Sequence, residues 1–275
     1  MKLVSIIAGA YNIAKCFSFH KSMESILNQT YKNFEFIICD DGSKDETWQL
    51  LEEYAKKDKR IRLLKNEKNK GLACSLNRCI EEAKGEYIAR HDLDDYCDLT
   101  RFEKQVKYLD EHEDVAVLGT NAYLFDEKGV WGKADFPRYV QNKDFLFTSP
   151  YKHGSVMFRA EALKKAGGYR VAKETYRAED YDLFMTMQTF CKGENFDEYL
   201  YYFCEDINAK KRRKYKYRID EMKVRFKGYK KLKLYPKGFF YAIKPLFVGL
   251  IPQKLLTKMQ NKHYKRLELE DKDAK

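Results

Sequence analysis

No stretch of this 275-residue chain is long and apolar enough to span a bilayer, which takes about 20 residues. The longest candidate, residues 238–252, is shorter and carries Lys244 and Pro245 inside it. A glycine-rich dinucleotide fingerprint is also missing, because Gly9-Ala10-Tyr11 lacks the second and third glycines. Cysteines 16, 39, 74, 79, 97, 191 and 204 show no paired metal spacing, and their number is odd. They are expected to be reduced thiols of a cytosolic protein, several of them in apolar runs. No leader is expected, since Met1-Lys2-Leu3 runs directly into Val4-Ser5-Ile6-Ile7. There is no internal repeat.

What is present allows a sizeable core. The chain is 44% hydrophobic and 15% aromatic, which argues against global disorder. Its length fits one large α/β domain or a domain with an appendage. Charge is uneven. Residues 207–275 hold 22 Lys/Arg against 6 Asp/Glu, a net +16, while residues 1–206 carry a net −5. A faintly acidic body with a basic tail points to an anionic surface as partner.

Apolar runs alternate with amphipathic ones. Strands are expected at 3–8, 33–39, 60–64 and 86–91. Helices are expected up to Leu27, from a Ser43/Glu46 capping box onward, and over 72–83 with Gly85 as its C-terminal glycine. Short turns between them imply parallel βαβ units. Beyond Leu99 the pattern gives a helix (Phe102, Val106, Leu109) and a strand at 115–119. A hairpin turns at 126–129, and another strand is expected at 153–158. Helices follow at 160–166 and from Glu179, where acids suit a helix N-terminus.

Asp92-Leu93-Asp94-Asp95 is the most informative stretch. Three carboxylates within four residues follow the apolar strand Glu86–His91. Like charges this close raise one another's pKa, and a divalent cation relieves the repulsion. Hard oxygen ligands suit Mg²⁺ or Mn²⁺, which in turn hold phosphate oxygens. The alternative is a solvated acidic turn. In open α/β sheets ligands bind beyond the carboxyl ends of the strands. Tyr11, Asp41 and this cluster all fall there.

The ordered motifs resemble a known family. They are Val4-Ser5-Ile6-Ile7 with Tyr11-Asn12, Gln29-Thr30-Tyr31, Cys39-Asp40-Asp41-Gly42-Ser43, Asn69-Lys70-Gly71, Gly85-Glu86-Tyr87-Ile88-Ala89, and the Asp92–Asp95 cluster. His153-Gly154-Ser155, Gly167-Gly168-Tyr169-Arg170 and Glu179-Asp180 complete the set. Over about residues 3–200 the chain is similar to family 2 glycosyltransferases of GT-A fold, as found among bacterial builders of surface polysaccharide. The resemblance implies a Rossmann-like mixed sheet flanked by helices, with a nucleotide-sugar half at about 1–98 and an acceptor half at about 99–206. It implies inverting, metal-dependent transfer from a nucleoside diphosphate sugar, with UDP favoured. Tyr11 would stack on the base and Asp41 would accept from a ring N–H. Asn69 and Gly71 would line the donor site, and Asp92 would touch the ribose. Asp94 would ligate Mn²⁺ or Mg²⁺, and Asp180 would be the general base. Glu179, Asp95, Arg90 and His153 are further candidates, with His153 on the acceptor side.

Two departures carry meaning. No Gln-x-x-Arg-Trp occurs, which argues against a processive synthase. Phe203-Cys204-Glu205-Asp206 stand where many relatives place Arg and His, so no third metal or diphosphate ligand is expected there.

The tail 207–275 is expected to be a basic, amphipathic, helical extension. Ile219, Met222, Phe226 and Tyr229 lie at helical spacing among lysines and arginines, followed by the aromatic-rich run. That reads as an interfacial anchor, placing the protein peripherally at the cytoplasmic face of the membrane. A lipid-linked or oligosaccharide acceptor fits that location. The alternative is a helix packed on the domain. Nucleic acid is not expected, because it would leave the apolar run without use. Two other function classes remain open on sequence: a metal-dependent phosphatase or nucleotidyl enzyme, and a non-catalytic, basic-tailed binding protein.

Overall fold

The computed structural model describes residues 1–205 and 215–251, and the backbone of 265–266. Expectations for 206–214, and for most of the chain after 251, lie outside the described residues.

The first four strands are β1 (Val4–Ala10), β2 (Phe34–Asp40), β3 (Ile61–Lys65) and β4 (Tyr87–Arg90). They pair in parallel in the order β3-β2-β1-β4. The crossovers contain α1 (Phe19–Leu27), α2 (Thr47–Lys57) and α3 (Leu72–Glu82). Alternation along the strands explains the two-sided burial. Val4, Ile6 and Ala8 of β1 join Phe34, Phe36 and Ile38 of β2 and Phe19, Met23 and Leu51 of α1 and α2 in one core cluster. Ile7, Ile37 and Cys39 face the other way, onto Leu76, Cys79 and Ile80 of α3. Each Val, Leu, Ile, Phe or Met among them, fully buried, contributes roughly 1.5–3 kcal/mol.

The next elements are β5 (Tyr96–Cys97), α4 (Arg101–Glu111), β6 (Val115–Asp126), β7 (Gly129–Ala134), β8 (Met157–Arg159), α5 (Ala160–Lys165), α6 (Glu179–Met187) and β9 (Lys192–Cys204). β8 is antiparallel to both β4 and β6. β6 therefore runs with the parallel strands, and it pairs in parallel with β9 along most of its length. The sheet is mixed, as expected.

Local readings needed correction. Ser43 does not cap α2, since its Oγ and N both donate to Asp40 Oδ1 (2.5 and 3.2 Å). Residues 11–18 are turns, and α1 starts only at Phe19. Gly85 is not a helix cap, because Ala83 ends α3 in extended geometry. Gly85 is small because a Cβ there would come 2.6 Å from Leu3 O and Ser5 N. His153–Ser155 forms a 3₁₀ turn rather than a strand. β6 runs seven residues past Gly119, and β9 was not foreseen.

The described part of the tail, 215–251, folds onto the domain. α7 (Lys216–Lys231) packs on α6, and α8 (Lys237–Val248) packs on α7. Val224, Tyr229, Leu232 and Ala242 belong to the same core cluster as α3 and α6. Arg225, nearly buried, pairs with Glu221 (2.9 Å) and donates to Tyr229 Oη (2.7 Å) and Leu146 O (3.1 Å). The expected stripe of α7 is split, with Tyr229 buried and Ile219 exposed. β10 (Lys265–Arg266) pairs with β7.

Candidate active site

The loops beyond β1, β2 and β3 are tied together by side-chain to backbone hydrogen bonds. Asn12, at φ 51°, donates its N–H to Ser43 Oγ (3.0 Å) and accepts from Lys44 N (2.9 Å). This clasp presents Tyr11 to solvent, 44% exposed. Asp41 is 4% exposed. Its Oδ1 accepts from Asn66 Nδ2 (2.7 Å) and Lys70 N (2.8 Å), and its Oδ2 from Gly71 N (2.8 Å). A carboxylate offers about four acceptor positions, so one remains on Oδ2. Gly71 takes φ 90°, open to a residue without Cβ. Asn66 was missed by the sequence reading, although it follows β3 directly and closes this network.

Tyr11, Asp41, Asn69 and Gly71 share a cleft of about 260 Å³ with Arg177 and Glu179. A wider space of about 700 Å³ adjoins it at Tyr11, Ser43, Lys65 and Asn69. Candidates from four separate segments thus meet.

The acidic cluster splits into three fates. Asp92 is bound by the buried Arg90 (2.5 Å). Burial raises the Asp92 pKa, but Arg90, His153, His91 and Lys152 together bring it below the usual carboxylate range. Gly154 lets the chain close over it, since a Cβ there would lie 2.9 Å from Asp92 Oδ2. Asp95 is fully buried and accepts from Tyr201 Oη and Cys204 N, both at 2.7 Å. Burial, then Asp94 and Asp92, push its carboxyl well up. Asp95 therefore anchors β9, a correction to its candidacy as a site ligand. Arg90 likewise acts through Asp92, because it has no exposed surface.

Asp94 is the exposed carboxylate of the cluster. Its side chain has no hydrogen-bond partner among the described residues. Desolvation by the surrounding protein and then the charge on Asp92 push its carboxyl up to about 6. No group of three potential metal ligands occurs among the described residues. That donor set still suits Mg²⁺ or Mn²⁺, which bind through one or two carboxylates and complete their shell with water and substrate phosphates.

The opposite wall is α6. Arg177, at φ 73°, turns the chain into its first residues, a conformation that costs a non-glycine residue energy. Glu179 and Asp180 occupy the first turn. Asp180 Oδ1 accepts from Tyr181 N (2.8 Å). Burial raises the Asp180 carboxyl, and Asp92 adds to the rise. Burial and then Asp180 push Glu179 up to about 7. Asp182, in the same turn, is instead held by both arms of Arg170 (3.0 and 2.9 Å). His153 Nε2 meets Tyr169 Oη at 2.7 Å. Burial and then Arg90 drop its pKa to about 3, so the ring is neutral.

With this geometry in view, comparison with known proteins is specific. The sequence profile of glycosyl transferase family 2 matches residues 5–167. EpsE of Bacillus subtilis (strain 168), named as a glycosyltransferase, is 38% identical over 98% of this chain and 96% of its own length. WfaP of Escherichia coli, named a UDP-Glc:alpha-D-GlcNAc-diphosphoundecaprenol beta-1,3-glucosyltransferase, is 34% identical over 68% of this chain and 70% of its own. Staphylococcus aureus TarS 1-349, solved with UDP-GlcNAc, superposes with a TM-score of 0.69 at 21% identity, covering 87% of this chain and 73% of that one. The mannosyltransferase PcManGT of Pyrobaculum calidifontis, solved with GDP-Man and Mn²⁺, gives a TM-score of 0.60 at 18% identity, covering 94% and 79%. The fold is GT-A and the sequence family is that of glycosyltransferases, so the phosphatase and the non-catalytic readings are set aside. The chain belongs to glycosyl transferase family 2, and it is a glycosyltransferase of the kind found in polysaccharide biosynthesis.

Proposed function

We propose that the protein transfers a sugar from a UDP-sugar, with inversion, to a hydroxyl of a lipid-linked oligosaccharide. The observation that carries this reading is the cleft that joins Tyr11, Asp41, Asn69 and Gly71 to Glu179 at the start of α6. The half-exposed Tyr11 ring stacks on the base. The open lone pair on Asp41 Oδ2 accepts the base N–H. Asp92, fixed by Arg90, meets the ribose. Asp94 would hold Mn²⁺ or Mg²⁺, whose Lewis acidity compensates charge on the leaving diphosphate when the ion is bound.

Asp180 takes the proton of the acceptor hydroxyl. A positioned base is worth roughly 10²–10⁴-fold in rate, and a raised carboxyl pKa brings it nearer the working range. It comes from a different segment than Asp94, which suits attack from the face opposite the leaving group. The reacting carbon passes through an oxocarbenium-like state, as in glycoside chemistry generally. The neutral His153 can donate or accept at the acceptor hydroxyl.

The acceptor class and a peripheral membrane position rest on α8. Phe239, Phe240 and Phe247 of α8, and Leu250 just beyond it, are 47%, 70%, 63% and 71% exposed. Lys237 and Lys244 on the same helix are also exposed. No helix among the described residues is long and apolar enough to cross a membrane. Aromatic side chains beside lysines suit an anionic interface, with about 1 kcal/mol per basic residue near it. The domain division, a catalytic unit 1–206 and a membrane-associating segment 207–275, is a functional one, since α7 shares the catalytic core.

The test is a product assay with UDP-sugars, with and without a lipid diphosphate saccharide. Acceptor-dependent release of UDP is expected. Phosphate release that needs no acceptor would overturn the reading.

A further inference from the structure

Lys152, beside the acidic cluster, is a basic residue that the reading above leaves without a role. It sits immediately before the His153–Ser155 turn, and its carbonyl accepts from Ser155 N and Ser155 Oγ, both 2.9 Å. The backbone there is fixed. The same turn carries Gly154, packed against the Asp92 carboxylate. From the other side, Asp95 grips Tyr201 Oη and Cys204 N, which sets Phe203 beside the acidic loop. The Lys152 ammonium lies 3.1 Å from the centroid of that Phe203 ring. It is therefore enclosed between Asp92, the Asp94–Asp95 bend and the end of β9.

Among the described residues Lys152 forms no ion pair within 4.0 Å and no hydrogen bond from its ammonium. Its surroundings are nonetheless anionic. Burial lowers its pKa, while Asp95, Asp92, Glu205 and Asp180 oppose that shift, and Lys152 in turn lowers the carboxyls of Asp94 and Asp180. A cation stabilised by several carboxylates and bonded to none is poised for a further anion. A lysine stem is flexible enough to leave an aromatic face for a phosphate oxygen. The residues 203–206 themselves offer no basic side chain for that purpose.

We infer that Lys152 contacts the diphosphate of the donor, supplying the second cation, beside the metal at Asp94, that faces the departing UDP. The inference rests on the donor reading above. A charged hydrogen bond to a phosphate oxygen discriminates diphosphate from nucleoside, so its signature is in binding and needs no turnover.

Calorimetry with Mn²⁺, using UDP and uridine as probes, tests it on wild type, Lys152→Met and Lys152→Arg. Met keeps the stem on Phe203 and removes the charge. The expected result is UDP binding weakened by about 10–100-fold in Lys152→Met, unchanged uridine binding, and recovery to within about threefold in Lys152→Arg. Equal or tighter UDP binding by Lys152→Met would overturn the inference, because a lysine that only neutralises the acidic cluster would tighten Mn²⁺ and UDP on removal. A wild type that binds uridine and UDP equally rejects the inference alone. A wild type that binds neither rejects the donor reading along with it. Matching melting temperatures for the three unliganded proteins confirm that binding, not folding, is compared.

Discussion

At the tip of β2, Asp41 accepts three hydrogen bonds from Asn66, Lys70 and Gly71. At the start of α6, Asp180 accepts one, from its neighbour's N–H, and lies where burial and Asp92 raise its pKa. The two sides of the cleft differ in the same way throughout. On the β1–β3 side, Asn12, Ser43, Asp40 and Asp41 are tied together by short local bonds, which fix the shape of a binding surface. Across from it, Asp94, Glu179, Asp180 and Lys152 are under-paired and partly desolvated. That side is electrostatically costly by itself, and substrate, proton or cation would relieve it. Rigid shape serves recognition, and unpaired charge serves chemistry.

The largest effect that tests this contrast is at Asp180. Asp180→Asn should lower kcat by about 10²–10⁴-fold with an unchanged or higher melting temperature, measured by turnover and thermal unfolding. A variant with wild-type turnover would remove Asp180 as the base. Asp41→Ala should do the reverse. It strands three donors, at about 1–3 kcal/mol for each that stays buried, so the expected readout is a lower denaturation midpoint and a raised KM. If Asp41→Ala leaves stability intact, the β1–β3 side is not the rigid one.

A third expectation concerns pH. A base with a raised pKa loses function on acidification, so kcat should fall with decreasing pH already above the usual carboxylate range. Stability should run the other way. Asp94 near 6 and Glu179 near 7 lie above the ordinary carboxyl values of 3.8 and 4.5. Between those values the folded chain binds more protons than the unfolded one, so unliganded stability should decline as pH rises from about 5 to 7. Mn²⁺ should remove the part due to Asp94. A melting temperature that climbs steadily over this range would contradict the assignment.

The smallest effect is at α8. Phe239→Ser with Phe240→Ser should weaken binding to anionic phospholipid vesicles by about 10-fold or more while turnover on a soluble acceptor is unchanged. Undiminished vesicle sedimentation would leave the exposed aromatics without the proposed partner.

The parallel half of the fold was readable because its signals are local. β1 and β2 are apolar on both faces, and the stripe Leu76, Cys79, Ile80 meets them at helical spacing. The position of Tyr11, Asp41 and Asp94 beyond strand ends followed directly. What could not be read was whatever depends on pairing. β9 carries Lys192, Glu194, Asp197 and Glu198 and breaks register three times against β6, so its alternation is obscured, and with it Tyr201, which holds Asp95. Ser43 suits a cap and an Asx-type turn equally by composition, and Asp40 wins it in the fold. The different fates of Asp92, Asp94 and Asp95 were invisible, because Arg90 and Cys204 N decide them. α7 looked like a membrane face because its basic residues dominate the pattern, yet it buries Arg225 and Tyr229 against Leu146.

The most direct measurement is the thermal unfolding of wild type and Asp94→Asn with UDP, with and without Mn²⁺. A ligand at 100 times its Kd adds about 2.7 kcal/mol to the native form. The proposed cleft therefore predicts a rise of several degrees with UDP and Mn²⁺ together in wild type, and the loss of the Mn²⁺-dependent part in Asp94→Asn. No rise in wild type, or an equal Mn²⁺-dependent rise in both proteins, would contradict it.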